Sequence, residues 1–214
     1  MMDLCQLLAE RERRWNKRLS LAGMYNCPVL SLTLNIPGPS KNLPGADAAL
    51  SQLRTALCCA VDKAGGSLVD ECRLSGPDGP GWVAAVRMDA LDLKRAAVAV
   101  EESHVLGRLA DADVMDAQGQ PVNRAHLAAG DGTREILPGK ERPDSPDSPD
   151  SQGRGSDQAA YAPRRCFLCS QPASLCRREQ RHSLEDLLAA VRGLLRLAER
   201  ASEQSAKQGR ACRP

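Results

Sequence analysis

Two aspartates one residue apart, Asp111 and Asp113, close the run His104-Val105-Leu106-Gly107-Arg108-Leu109-Ala110-Asp111-Ala112-Asp113-Val114. On a strand, side chains alternate between faces, so both carboxylates project to one side and can hold a divalent cation jointly. Hard oxygen ligands suit Mg²⁺, and a Mg²⁺ ion bridging phosphate oxygens offsets the charge that develops in phosphoryl chemistry. A solvated edge strand can carry the same pair with no ligand at all. Arg108 places a guanidinium beside the two carboxylates, where it can pair with them or clamp phosphate oxygens bidentately. His104 is a candidate phosphate contact or base for a hydroxyl nucleophile, and equally a structural hydrogen-bonding residue near a helix end. Upstream, Asn35-Ile36-Pro37-Gly38-Pro39-Ser40-Lys41 reads as a rigid loop that presents the Lys41 ammonium either to phosphates or to solvent.

A second cluster follows the spacing Cys166-x2-Cys169-x6-Cys176-x5-His182. Its first pair has the separation found in zinc knuckles, and sulfur with imidazole suits tetrahedral Zn²⁺. Buried thiols without metal are the alternative, and the sequence leaves the two balanced. Arg164, Arg165, Arg177, Arg178 and Arg181 crowd the same segment. They form a basic surface for ligand phosphates or an acidic protein, or simply a solvated face.

Positioning these groups falls to the intervening elements. Leu4, Leu7, Leu8, Trp15, Leu19 and Ala22 fall at helical spacing over 3–24, and Val29–Leu34 is a short β-compatible run that stops at the Pro-Gly-Pro loop. A helix is expected over 46–64, ending at Gly65-Gly66, then two hairpin strands at 67–74 and 81–87. Asp89 is placed to N-cap a helix over 90–103, and a strand at about 109–115 leads to a turn at Gly119. Between 130 and 160, Gly, Asp, Ser and Pro dominate, including Asp-Ser-Pro repeats from Asp144, a composition that cannot bury enough apolar area to offset chain entropy. Leu184, Leu187, Leu188, Val191, Leu194, Leu195 and Leu197 trace a closing helix. The expected architecture is α+β: a main catalytic region over 1–130 with a mixed sheet and helices, and a disordered insertion at 131–160. A Cys/Arg-rich module and closing helix over 161–200 complete the same domain, before a frayed tail at 201–214.

Composition narrows the function classes. Only five aromatic residues are present among 214, so base recognition by stacking is poorly supplied and a nucleic-acid partner is not expected. A net charge of +2 gives no long-range field toward DNA or a membrane. No stretch approaches the roughly 20 apolar residues of a membrane span, and the chain is read as cytoplasmic, with its nine cysteines as reduced thiols or metal ligands rather than a disulfide framework.

The element Gly107-x-x-x-Asp111-x-Asp113 resembles the Gly-Ser-x-x-Asp-x-Asp element of nucleotidyltransferases, with Arg108 where serine would stand. Taken in order, three segments resemble the signature of the citrate lyase holo-[acyl-carrier-protein] synthase family. They are Asn35 to Lys41; His104 to Leu109 with Asp111 to Val114; and Pro163-Arg164-Arg165-Cys166-Phe167-Leu168-Cys169 with Cys176-Arg177 and His182. Val105 and Ala110 stand where the family commonly has proline and an aromatic residue, and Asn123 precedes Arg124 where serine is usual. The stretch 131–160 is an insertion. None of these departures removes a charged residue of the motifs.

The resemblance implies a nucleotidyltransferase. It would move the phosphoribosyl-dephospho-CoA unit from triphosphoribosyl-dephospho-CoA to a serine of the apo-acyl carrier subunit of citrate lyase, releasing diphosphate. It casts Asp111 and Asp113 as Mg²⁺ ligands, and Arg108 and His104 as catalytic groups. Lys41, Asn35, Gly107, Arg124, Arg164 and Arg165 become substrate contacts. The rival from another class is a non-catalytic, zinc-stapled adaptor that binds a protein or RNA through the basic module.

Overall fold

The computed structural model describes residues 4–128 and 163–211, and the expected insertion at 131–160 lies outside them. Helix α1 (Leu4–Tyr25) stops where Asn26 takes a left-handed φ of 48°, a conformation asparagine tolerates, and β1 (Val29–Leu34) follows directly. Helix α2 (Ala46–Lys63) closes in a Schellman turn. Gly66 N–H donates to the Val61 carbonyl at 2.9 Å and Gly65 N–H to that of Asp62 at 3.0 Å, with Gly65 at φ 80°. Strands β2 (Ser67–Leu74) and β3 (Gly81–Arg87) pair as the expected hairpin. Asp89 caps α3 (Ala90–Ser103), accepting from the backbone N–H of Leu91 at 2.8 Å and of Asp92 at 3.3 Å.

A 3₁₀ turn at Gly107–Leu109 feeds β4 (Ala110–Met115), followed by β5 (Pro121–Val122) and the short α4 (Ala125–Ala128). After the gap come α5 (Ala173–Arg178) and α6 (Leu184–Ala211), the latter running on as helix past residue 200, where a frayed tail was expected. None of the described helices is long and apolar enough to cross a membrane.

The strands form one sheet in the order β2-β3-β1-β4-β5. The α+β class is as expected, but the mixed sheet is not: all the strand pairings are antiparallel. Each helical crossover returns the chain parallel to the strand it left, yet skips one position, and the skipped position is filled by a strand running the other way. Thus β3 separates β1 from β2, and β1 separates β3 from β4. Through β4 this is the split βαβ connectivity of ferredoxin-like folds.

The two faces of the sheet differ. Leu30, Leu32, Ala84, Val86, Ala112 and Val114 point toward α2 and α3 and build the main core with Leu53, Leu57, Leu93 and Ala97; Val191, Leu195 and Ala198 of α6 join it. On the opposite face, Val29, Val83 and Ala85 pack with Leu21 and Ala22 from the C-terminal half of α1. That cover is partial. Thr33, Asp111 and Asp113 share this second face and line an open cleft beneath the middle of α1.

Candidate active site

The burial alternation along β4 is the reason the aspartates face this cleft. Ala110, Ala112 and Val114 are buried in the core, so Asp111 and Asp113 project to the other side, opposite Thr33 and Ser31 of β1 in register. The outer edge of β4 is completed by side chains. Strand β5 pairs only with Val114 and Met115, and at Ala112 the ladder is replaced by two buried charges of α3. Ala112 N–H donates to Glu101 Oε1 and Lys94 Nζ donates to the Ala112 carbonyl, both at 2.9 Å. The backbone between the two aspartates is therefore clamped on both of its polar groups. Burial lowers the Lys94 pKa, against the pull of Glu101.

Arg164 bridges the two faces around this edge. Its guanidinium donates to Glu101 at 2.9 Å and to Asp111 Oδ1 at 3.0 Å, while Arg124 pairs with Glu101 and, at 2.8 Å, with Glu102. The Asp113 carboxyl is pushed above the usual range, first by desolvation between the cleft walls and then by the neighbouring Asp111 charge, with Arg18 pulling the other way. Its side chain keeps 59% of its surface open, so the desolvation is that of a cleft rather than of an interior.

The aspartate cleft, of about 400 Å³, is walled by Arg11, Arg14, Trp15 and Arg18 from α1, by Asn35, Ile36 and Lys41 from the loop after β1, and by Asp78. Arg18 stands 4.0 Å from Asp113 and stacks over the Trp15 ring. Arg14 is buried, bound to Glu10 at 3.1 Å and to Asp78 and the Gly79 carbonyl at 2.5 Å. It fits because Gly81 has no side chain: a Cβ there would lie 2.4 Å from Arg14 Nη1. Lys41 donates to the Ile36 carbonyl, and its pKa is lowered, mainly by burial and then by the charge of Arg11. A second lobe of about 1120 Å³ shares Asn35, Ile36, Lys41 and Asp111 with the first and extends between the cysteine module and the start of α6. Its walls include Pro37, Phe167, Arg177, Leu184 and Leu187.

The cysteine module comes together as one cluster. The ligating atoms of Cys166, Cys169, Cys176 and His182 all lie within 4.8 Å of one another, with Cys169 Sγ at 3.4 Å from both Cys176 Sγ and His182 Nε2. Zn–S distances of about 2.3 Å place tetrahedral sulfur ligands about 3.8 Å apart, so the four atoms fit a zinc ion with little adjustment. Burial works to raise the Cys166 thiol, but backbone N–H groups of Leu168 and Cys169 and the adjacent thiols bring it below its ordinary value. Desolvation and the neighbouring sulfurs push Cys176 up to about 12.

The sequence-derived candidates divide accordingly. Asp111, Asp113, Asn35 and Lys41 meet in one cleft, and Arg164 reaches Asp111 from the second lobe. Arg108 is turned to the Cys166 and Phe167 carbonyls, at 2.8 and 3.2 Å, and holds the cysteine module rather than lining the aspartate cleft. His104 caps the end of α3, accepting at Nδ1 from Leu106 N–H at 3.1 Å, with its pKa lowered by burial; it lines neither lobe. Gly107, Arg124 and Arg165 border a smaller pocket on the far side of Arg164. Gly107 itself is a packing requirement, since a Cβ would lie 2.3 Å from the Glu101 carbonyl oxygen.

Sequence reasoning missed two sets of residues. Arg11, Arg14 and Arg18 recur at i, i+3 and i+7, a basic stripe along one side of α1. Lys94 and Glu101 are two charges seven residues apart on the otherwise apolar stripe of α3. Both patterns were readable as helical faces carrying charge where apolar residues were due.

A family profile described as apo-citrate lyase phosphoribosyl-dephospho-CoA transferase matches residues 2–133 and 149–197. A Citrobacter koseri protein of that name is 30% identical over 194 residues, covering 91% of this chain and 88% of its own. Proteins of the same name from Shigella flexneri and Escherichia coli are 29% identical over the same shares. With this match running through the aspartate strand, the Asn35–Lys41 loop and the cysteine module, the chain belongs to the apo-citrate lyase phosphoribosyl-dephospho-CoA transferase family.

Proposed function

We propose that this protein transfers the 5-phosphoribosyl-3'-dephospho-CoA group from 2'-(5-triphosphoribosyl)-3'-dephospho-CoA to a serine of the apo-acyl carrier subunit of citrate lyase, releasing diphosphate. The observation that carries the chemistry is the placement of Asp111 and Asp113 side by side on one face of β4, in a cleft rimmed by cations and open to a larger lobe. The serine oxygen forms its bond to the α-phosphorus, losing its proton, as the bond from that phosphorus to the diphosphate oxygen breaks. Asp111 and Asp113 would hold a Mg²⁺ ion, which when bound supplies charge neutralisation to phosphate oxygens. Lys41 offers a fixed ammonium at the junction of the two lobes, and Arg164, already on Asp111, orients that carboxylate. Arg108 acts as a positioning residue through the carbonyls of the cysteine module. Cys166, Cys169, Cys176 and His182 would hold a structural Zn²⁺ that fixes the wall of the larger lobe.

The test is reconstitution with the purified chain, donor, apo-carrier and Mg²⁺. Stoichiometric diphosphate release and a carrier heavier by the prosthetic group are expected. A zinc-stapled adaptor would release none, and that result overturns the enzyme reading.

A further inference from the structure

Resting on that reading, we propose that the basic stripe of α1, Arg11 and Arg18, together with Lys41, binds the leaving diphosphate of the donor, while the dephospho-CoA arm occupies the larger lobe. The charges in the smaller lobe are unevenly matched. Arg14 is consumed by Glu10 and Asp78, and Asp111 by Arg164. Among the described residues, Arg11 and Lys41 have no carboxylate within ion-pair distance and Arg18 reaches only Asp113, at 4.0 Å. Arg18 Nε is buried with no hydrogen-bond partner among the described residues, as is Nη1 of the adjacent Arg14. Both atoms are sealed from solvent, Arg14 Nη1 against Gly81, so an oxygen-rich anion in this lobe is met instead by the Lys41 ammonium and the remaining guanidinium nitrogens of Arg11 and Arg18, which line it. Mutual repulsion between Lys41 and Arg11 is relieved by the same ligand.

Size and lining assign the two ends of the donor. The cation lobe, about 400 Å³, fits a compact anion, and the other, about 1120 Å³, is lined by Pro37, Phe167, Leu184 and Leu187. A dephospho-CoA arm has several times the atoms of a diphosphate and a long uncharged portion, so it belongs in the larger space. Asp111 and Lys41 line both, which puts the bond to be broken at the junction. Guanidinium groups there contact oxygens that gain charge as diphosphate departs, an interaction that strengthens toward the transition state.

The experiment titrates the full-length protein, in Mg²⁺, with inorganic diphosphate and separately with dephospho-CoA. Arg11→Gln with Arg18→Gln is expected to weaken diphosphate at least about tenfold and to leave dephospho-CoA within about twofold, consistent with loss of charge-assisted contacts. Leu184→Ala, at an exposed position of the larger lobe, is expected to weaken dephospho-CoA by about threefold and leave diphosphate unchanged. Unchanged diphosphate affinity in the double variant overturns the assignment, as does the reverse pattern. Transfer to apo-carrier by the unmodified protein, run alongside, separates the two failures. A protein that transfers the group while its double variant still binds diphosphate refutes only the orientation, whereas one that never transfers it refutes the function reading and this inference together.

Discussion

At the scale of single residues, the aspartate pair is the proposed chemical centre: β4 offers two carboxylates to one cleft, and side chains of α3 clamp the peptide between them. Asp111→Asn and Asp113→Asn are each expected to lower the transfer rate at least about a hundredfold, since a lost metal ligand removes several kcal/mol of charge stabilisation. Unchanged circular dichroism and thermal melts should accompany the loss, because neither side chain is in the core. Near-normal turnover in both variants would remove the metal assignment. Asp111 has the additional duty of holding Arg164, so its variant should also alter the larger lobe, where Asp113→Asn should not.

At the scale of elements, α1 is docked by a buried ionic network as much as by apolar contact. Glu10, largely buried, accepts from Arg13 at 2.9 Å and from Arg14 at 3.1 Å, and a Cβ on Gly76 would lie 2.6 Å from its carboxylate. The Arg13 hydrogen bond, partly offset by burial, holds the Glu10 pKa below its ordinary value of 4.5. Its stabilisation is therefore complete above the ordinary carboxylate range and is lost as pH falls through the depressed folded-state value. Glu10→Gln should cost on the order of 1–3 kcal/mol at neutral pH. In denaturant titrations from pH 7 to pH 3, the gap to the parent protein should close as pH drops below 4.5; a gap independent of pH would show that the ion pair is not the cause. A second element-level constraint sits where the 3₁₀ turn meets the end of α3. Gly107→Ala drives a methyl into the Glu101 backbone and should destabilise by about 1–3 kcal/mol or more, read as a lowered midpoint in the same titration.

At the scale of the whole molecule, the cysteine module connects the Cys166, Cys169, Cys176 and His182 cluster to the aspartate cleft. Arg108 holds its carbonyls, Ala173 N–H donates to the Arg164 carbonyl at 2.8 Å, and the Arg164 side chain grips Asp111. The purified protein is expected to carry about one zinc per chain by mass spectrometry, and a strong chelator should lower its melting temperature, because affinity for a site formed only on folding is folding free energy. Zinc-free protein that is fully folded and indifferent to chelator would leave the four residues as packed thiols and imidazole. Deletion of residues 140–158 should leave both stability and transfer within about twofold of the parent, since closure entropy changes slowly with loop length. The family profile itself passes over residues 134–148. Loss of folding on that deletion would show that the segment packs on the rest.

Sequence alone determined the order and limits of most elements, because their signals are local. The left-handed Gly65 after α2, the Asp89 cap and the alternation along β4 each act within a few residues. It also determined that Asp111 and Asp113 share a face and that the cysteines and His182 have ligand spacing, both properties of short stretches of backbone. Tertiary structure alone decided the rest. Whether neighbouring strands run parallel or antiparallel depends on which strand fills the skipped position, and no window of sequence contains both β3 and β4 with β1 between them. The same holds for the site. Arg108 is adjacent to the aspartates in sequence but is drawn off by carbonyls 58 and 59 residues away. Arg18 and Arg164, remote in the chain, arrive because α1 lies across the open face and the cysteine module folds around the edge of β4. Guanidinium groups on long side chains go where buried acceptors and carboxylates are, and folding sets those positions.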